Sequence, residues 1–270
     1  MAELNGERAV LGEFAGRCAV VTGAGQGIGA ALARGFASRG AHVVLTGRRS
    51  TKLETVSASI RADGGSADWC AGDVTDPEHL ARLMALAAGE RGAIDILVNN
   101  AGIAGPTAPL AEVSLEEWNE TVAVNLTGVF LACRAALPYL ERTRHGTIVN
   151  IGSATGKQPL INRTPYAAAK LGVVGLTRTL AHELGPSGIS VNVISPWLVD
   201  GPRLREVIDS MSRERGLTPE HLRAELTAGT VFKHTVDEQD VVATAVFLCS
   251  SGAANLTGQD INVSAGAVMY

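Results

Sequence analysis

The 270-residue sequence predicts an α/β fold: a single domain on a seven-stranded, mostly parallel, doubly wound sheet with helices on both faces. Three observations predict it. Short β-branched runs alternate with longer helix-like segments from end to end, and several runs are apolar without interruption, as strands buried on both faces are. No linker, composition shift or repeat divides the chain.

The elements follow in order. Residues 1–16 form a polar, charged leader with no apolar face, expected to be loosely held. The first strand, Cys18–Thr22, leads into a helix over Ile28–Arg39, and His42–Thr46 into a helix over Thr51–Ala62. Ala67–Cys70 precedes the helix Pro77–Glu90. Ile94–Val98 is followed by a long helix over Leu115–Leu140, and Thr147–Ile151 by a helix over Pro165–Leu184. After the sixth strand, Ile189–Ile194, a charged stretch over residues 197–235 far exceeds the usual connection of about 2–6 residues. It is expected to be a substrate-binding lid, with helical pieces over Leu204–Arg215 and Glu220–Leu226. A helix over Asp237–Cys249 and a strand over Asp260–Val263 end the fold.

Composition excludes several classes of function. Hydrophobic residues are 46% and charged residues 19% of the chain, too apolar for a disordered protein, and the 31 glycines follow no collagen period. Net charge is −4 with scattered basic residues, so neither nucleic acid nor an anionic membrane is an expected partner. Cys18, Cys70, Cys133 and Cys249 form no C-x-x-C pair, which fits buried thiols in a cytoplasmic protein. The six histidines lack metal-ligand spacing, so no metal is expected. A serine hydrolase fails for want of a G-x-S-x-G elbow around Ser153.

The first strand runs into Thr22-Gly23-Ala24-Gly25-Gln26-Gly27-Ile28-Gly29. Glycines there let the backbone approach a pyrophosphate, and the helix start offers free N–H groups and a positive dipole end. Gly23, Gln26, Gly27 and Ile28 are the candidate cofactor contacts. No Asp or Glu occurs from Ala30 to Leu53, so the carboxylate that would take a ribose 2′-hydroxyl is absent, and Arg48 follows the second strand. A guanidinium there binds a 2′-phosphate. NADP(H) is therefore favoured, with NAD(H) the alternative, and Arg48 is preferred over Arg49 for the phosphate.

Tyr166 and Lys170 are four residues apart on a predicted helix and share a face, so the ammonium favours a phenolate and makes Tyr166 a candidate proton carrier. Ser153 follows the fifth strand, where strand ends form the ligand crevice, and could hold a substrate oxygen or cap a turn. Asn125 is a polar residue in an apolar helix, whose plain explanation is a core amide bonded to neighbouring backbone.

Taken together with Asp73-Val74, Asn99-Asn100-Ala101-Gly102 and Ser195-Pro196, these motifs resemble the short-chain dehydrogenase/reductase family in its single-domain Rossmann form, over nearly the whole chain. The resemblance implies that Asp73 and Val74 border the adenine, that Asn99 and Ala101 line the cofactor cleft, and that Val199 contacts the nicotinamide end. It makes Tyr166 the general acid/base, with Lys170 lowering its pKa and binding the nicotinamide ribose. Ser153 then orients the substrate oxygen, and Asn125 holds a water in a proton relay. It implies a homotetramer and hydride transfer between NADP(H) and a carbonyl or secondary alcohol. The chain departs from the family after the sixth strand: Trp197 replaces a glycine and Gly201 a threonine. Trp197 is a candidate wall of the substrate pocket, with Leu160, Ile161 and Met211 expected to border an apolar carbonyl compound. A non-catalytic NADP-binding redox sensor is the competing class, and the intact Tyr, Lys, Ser and Asn set argues against it.

Overall fold

A computed structural model describes residues 12–143 and 145–270. Seven strands, β1 (Cys18–Thr22), β2 (His42–Gly47), β3 (Ser66–Ala71), β4 (Ile96–Asn99), β5 (Thr147–Ile151), β6 (Ser190–Pro196) and β7 (Asp260–Val263), form one sheet in the order β3-β2-β1-β4-β5-β6-β7. Every neighbouring pair is parallel. The chain reverses its direction of progress across the sheet between β1 and β4, which opens a crevice at the strands' carboxyl ends.

The apolar runs hide an alternation that explains the two helical layers. Ala19 and Val21 of β1 face α1 (Gly27–Ala37), α2 (Ser50–Ala62) and, with Val149, Ile151 and Ile194, the helix α9 (Glu238–Cys249). Cys18 and Val20, with Leu97, Ile148 and Val191, face α3 (Pro77–Ala88), α5 (Gly128–Leu140) and α6 (Thr164–Leu184). Because both faces are covered, hydrophobic residues occupy both parities of each strand.

Helix starts follow local chemistry. Asp76 accepts from the Glu78 N–H ahead of α3, Ser114 and Glu117 form a capping box at α4 (Leu115–Val122), and Asp237 with Asp240 forms another at α9. By contrast α1 begins at Gln26 with no capping side chain, so its first N–H groups remain free for a ligand.

Two expectations need correction. The predicted helix over Leu115–Leu140 is α4 and α5 joined by a π-turn at Ala123–Thr127. The widened turn buries Asn125, whose Nδ2 donates to Thr121 O at 2.9 Å and to Ile103 O at 3.1 Å. That stretch is long and apolar enough to cross a membrane by length and composition, yet Ala132, Cys133 and Ala136 pack against the sheet. The leader is not loose throughout. Its first eleven residues lie outside those described, but Phe14 is fully buried against Phe36, ring centroids 5.4 Å apart, and its N–H bonds Arg39 O at 2.8 Å.

The stretch after β6 folds as α7 (Pro202–Arg215) and α8 (Pro219–Ala228), within a residue or two of the predicted pieces. Leu204, Ile208, Met211 and Leu222 form a small core of their own. A two-pronged Arg215–Glu225 pair at 2.9 and 3.0 Å ties the two helices, and a single parallel bridge between Val199 and Val236 closes the base.

Candidate active site

A cleft of about 630 Å³ lies at the carboxyl ends of the strands, under α7. Its floor is the β1–α1 loop. Gly27 adopts φ +52°, and a Cβ placed there meets nothing within 4 Å, so the loop offers bare backbone to the cleft. Gly29 is required for a different reason: its Cβ would lie 2.3 Å from Gly23 O. Gly23, Gln26 and Ile28 complete this wall. The residues present fit a dinucleotide: an open glycine cradle, an uncapped helix start and a cleft continuing toward Tyr166.

At one end stand Arg48, Asp73 and Val74. Asp73 Oδ1 accepts from the Thr75 N–H at 2.9 Å and its hydroxyl at 2.7 Å. Partial burial raises its pKa, but these bonds and the nearby Arg48 outweigh it, so the carboxyl stays below its usual range. Arg49 and Lys52 are engaged elsewhere, both donating to Gln26 Oε1, at 2.7 and 2.8 Å. Arg48 is exposed on the cleft rim.

Ala101 lines the cleft as expected, whereas Asn99 does not. The Asn99 side chain points into the core, its Nδ2 donating to Asn150 Oδ1 at 2.8 Å and to Cys133 Sγ at 3.2 Å. The neighbouring Asn100 lines the cleft instead, bonding Thr22 O at 2.9 Å and Gly23 O at 3.2 Å. Asn99 is the last residue of β4 and Asn100 the first beyond it, and successive side chains along an extended backbone point to opposite sides.

At the other end, Ser153, Tyr166 and Lys170 converge on the cleft. Lys170 is buried, donates to Ile151 O at 2.7 Å, and lies 5.8 Å from the Tyr166 ring centroid. Burial raises the Tyr166 pKa. Lys170, Arg203, the Ser153 hydroxyl and Arg163 outweigh that effect and hold the phenol below its ordinary value. Burial likewise lowers the Lys170 ammonium against the opposing pull of Tyr166. Ser153 also caps the turn Ala154–Gly156, accepting from the Thr155 N–H at 3.2 Å.

Asn125 sits behind Gly102, where a Cβ would lie 2.6 Å from Asn125 Oδ1 and 3.7 Å from Lys170 Nζ. Val199 and Trp197 line the cleft. Trp197 is also a packed indole, against Ala154 and Val268, with its N–H buried and unpartnered among the described residues. Of the expected pocket border, Leu160 is present, Ile161 points to solvent, and Met211 belongs to the small core between α7 and α8. Sequence reasoning missed Arg163 and Arg203, both on the cleft wall. Their charge sits beside the Tyr and lid segments, but only the folded chain brings them together.

The four cysteines are free. Burial pushes the thiols of Cys18, Cys133 and Cys249 up to about 12, leaving them inert as nucleophiles.

The family model for short chain dehydrogenases matches residues 17–212. The chain is 39% identical over 257 residues to the cis-4-hydroxycyclohexanecarboxylate dehydrogenase of Sinomonas cyclohexanicum, covering 95% of this chain and 98% of that protein. It is 34% identical over 256 residues to the 3-oxoacyl-acyl-carrier-protein reductase of Escherichia coli, covering 95% and 99%. Among solved structures, the actinorhodin polyketide ketoreductase with NADPH superposes with a TM-score of 0.89 at 35% identity, covering 94% of this chain and 98% of that one. The chain belongs to the short-chain dehydrogenase/reductase family, and is an oxidoreductase acting on CH–OH and C=O groups.

Proposed function

We propose that the protein is an NADP(H)-dependent dehydrogenase or reductase acting on a carbonyl compound or secondary alcohol, with Tyr166 as general acid/base. The carrying observation is the placement of Tyr166, Lys170 and Ser153 at one end of a cleft whose other end is a glycine cradle beside Arg48. When bound, the nicotinamide supplies or accepts a hydride at the substrate carbon.

Ser153 holds the substrate oxygen against Tyr166. In reduction Tyr166 gives that oxygen a proton, and in oxidation its phenolate takes the hydroxyl proton. Lys170 keeps the phenolate accessible at neutral pH and binds the nicotinamide ribose. Asn125, already bonded through both amide atoms to backbone, holds a water behind Lys170 through which protons return to solvent. Asp73 and Val74 border the adenine, Ala101 lines its cleft, and Val199 meets the nicotinamide end. Trp197 walls the substrate side. Arg48 recognises the 2′-phosphate, which favours NADP(H) over NAD(H). The NADPH of the similar ketoreductase structure supports that preference.

We further infer a homotetramer in the cytoplasm acting on a small molecule. Exposed Leu115, Phe130 and Leu171, on α4, α5 and α6, offer apolar surface for subunit contact. The four free thiols suit a reducing compartment. A screen of ketones against NADPH consumption and of alcohols against NADP reduction tests the activity. Turnover with at least one class supports it. Tight NADPH binding without turnover across the panel would favour the redox sensor.

A further inference from the structure

The cleft contains a cation, Arg163, that stacks beside Tyr166 yet keeps hydrogen-bond donors that neither dinucleotide binding nor proton transfer uses. Arg163, immediately before α6, is only 3% exposed, yet it lines the cleft. Its Nη1 donates to Thr107 Oγ1 at 3.0 Å and Pro106 O at 3.5 Å, while Nε and Nη2 meet no acceptor among the described residues. No carboxylate among those residues forms an ion pair with it. A guanidinium has five donors, and burying its charge without a counter-ion is costly.

The surroundings add donors and positive charge. The Arg163 guanidinium carbon lies 5.0 Å from the Tyr166 ring centroid. Arg203 reaches across from the start of α7 to donate to Gly102 O at 2.6 Å. The Trp197 indole N–H, in the same cleft, is buried without an acceptor. Of the carboxylates lining the cleft, Asp200 is held by Arg223 and Thr235 and Asp73 by Thr75, while Glu206 on α7 is exposed, one anion against the cations Arg163, Arg203 and Lys170. This end of the cleft therefore has donors and cations in excess of acceptors and anions. An anionic substrate supplies both deficits.

We propose that Arg163 binds a carboxylate carried by the substrate, so that the protein acts on hydroxy acids and oxo acids. The proposal rests on the dehydrogenase reading above and deepens it. The planar fork of Arg163 takes both carboxylate oxygens while the reacting oxygen sits at Tyr166 and Ser153. In oxidation the C–H hydride goes to the nicotinamide of NADP⁺, the O–H proton goes to Tyr166, and a C=O bond forms. The carboxylate is unchanged. The proximity of the guanidinium to the phenol requires the two functional groups of the substrate to be only a few bonds apart.

Binding can be read without turnover. The full chain, with and without NADP⁺, is titrated calorimetrically with cyclohexanecarboxylate and with cyclohexanecarboxamide. The acid is expected to bind about tenfold or more tightly than the amide. In Arg163→Gln that ratio falls to about twofold or less, and Arg163→Lys retains part of it. Equal affinities in the unsubstituted protein, or an unchanged ratio in Arg163→Gln, would overturn the proposal. So would a role for Arg163 confined to the Tyr166 phenolate or the loop at Pro106, since that predicts no acid-to-amide discrimination. Should Arg163→Gln not fold, Arg163→Lys decides, because loss of the planar fork must lower the ratio. Turnover of oxo acids and their methyl esters is measured separately. Carboxylate preference in binding with no turnover of anything would sink the dehydrogenase reading alone. Turnover of neutral ketones with no carboxylate preference would sink this inference alone.

Discussion

The proposed chemistry turns on single side chains, Tyr166 first among them. Burial alone would make its phenol a weaker acid, yet Lys170, Arg203, the Ser153 hydroxyl and Arg163 together hold its pKa below the ordinary value. The sign of the pH dependence follows. Alcohol oxidation needs the phenolate, so kcat/KM for oxidation should rise with pH through the lowered Tyr166 pKa and then level off. Arg203→Met removes one stabilising cation and should move that limb to higher pH; a limb that stays in place would contradict the electrostatic account. Arg48 carries a prediction of its own. Arg48→Ala should raise the KM for NADPH by about tenfold or more while changing that for NADH little, because a charge-assisted bond to the 2′-phosphate is lost only in the first case. Equal effects on both cofactors would refute that role. The sequence made Tyr166, Lys170 and Ser153 legible through spacing and order. Arg163 was not legible, since nothing in its local sequence reveals that it is buried and un-neutralised beside Tyr166.

Elements were read more reliably than the joints between them. All seven strands lie within a few residues of their predicted bounds, because β-branched runs leave a strong local signal. The π-turn at Ala123–Thr127 leaves none: its sequence, Ala-Val-Asn-Leu-Thr, continues the helical pattern, and only tertiary bonds from Asn125 to Ile103 mark the break. Asn99 was expected in the cleft through the family resemblance, and its side chain instead enters the core while Asn100 lines the cleft. Phe14 was hidden by the charged residues that precede it. The β1–α1 loop offers an element-scale test. Gly27→Ala should cost about 1 kcal/mol of stability through its positive φ, a modest shift in the denaturation midpoint. Its effect on NADP(H) affinity should be far larger, since the new methyl enters open cleft rather than protein. A calorimetric titration with NADP⁺ checks this, and unchanged affinity would show that the dinucleotide does not lie on Gly27.

At the scale of the molecule, doubly wound topology explains why a cleft exists at all. Reversal of strand order between β1 and β4 separates the loops that follow them, and the segment after β6 folds over the opening. That segment has a small core of its own around Leu204, Ile208, Met211 and Leu222, tied at its base by the bridge between Val199 and Val236. Apolar side chains left exposed on α4, α5 and α6 bear on assembly. Light scattering at micromolar concentration should give four times the 27.9 kDa chain mass, and a monomer mass would contradict the tetramer. The tetramer is what the family resemblance implies, since one chain's sequence marks a helix as apolar without stating what covers it.

In the proposed reaction Tyr166 moves the proton while hydride passes between NADP(H) and the substrate. Its most direct test is Tyr166→Phe, followed by NADPH consumption with the best substrate and by NADPH binding measured from cofactor fluorescence. Turnover should fall by about a hundredfold or more while NADPH affinity stays within about twofold of the unsubstituted protein. Undiminished turnover in that variant would contradict it.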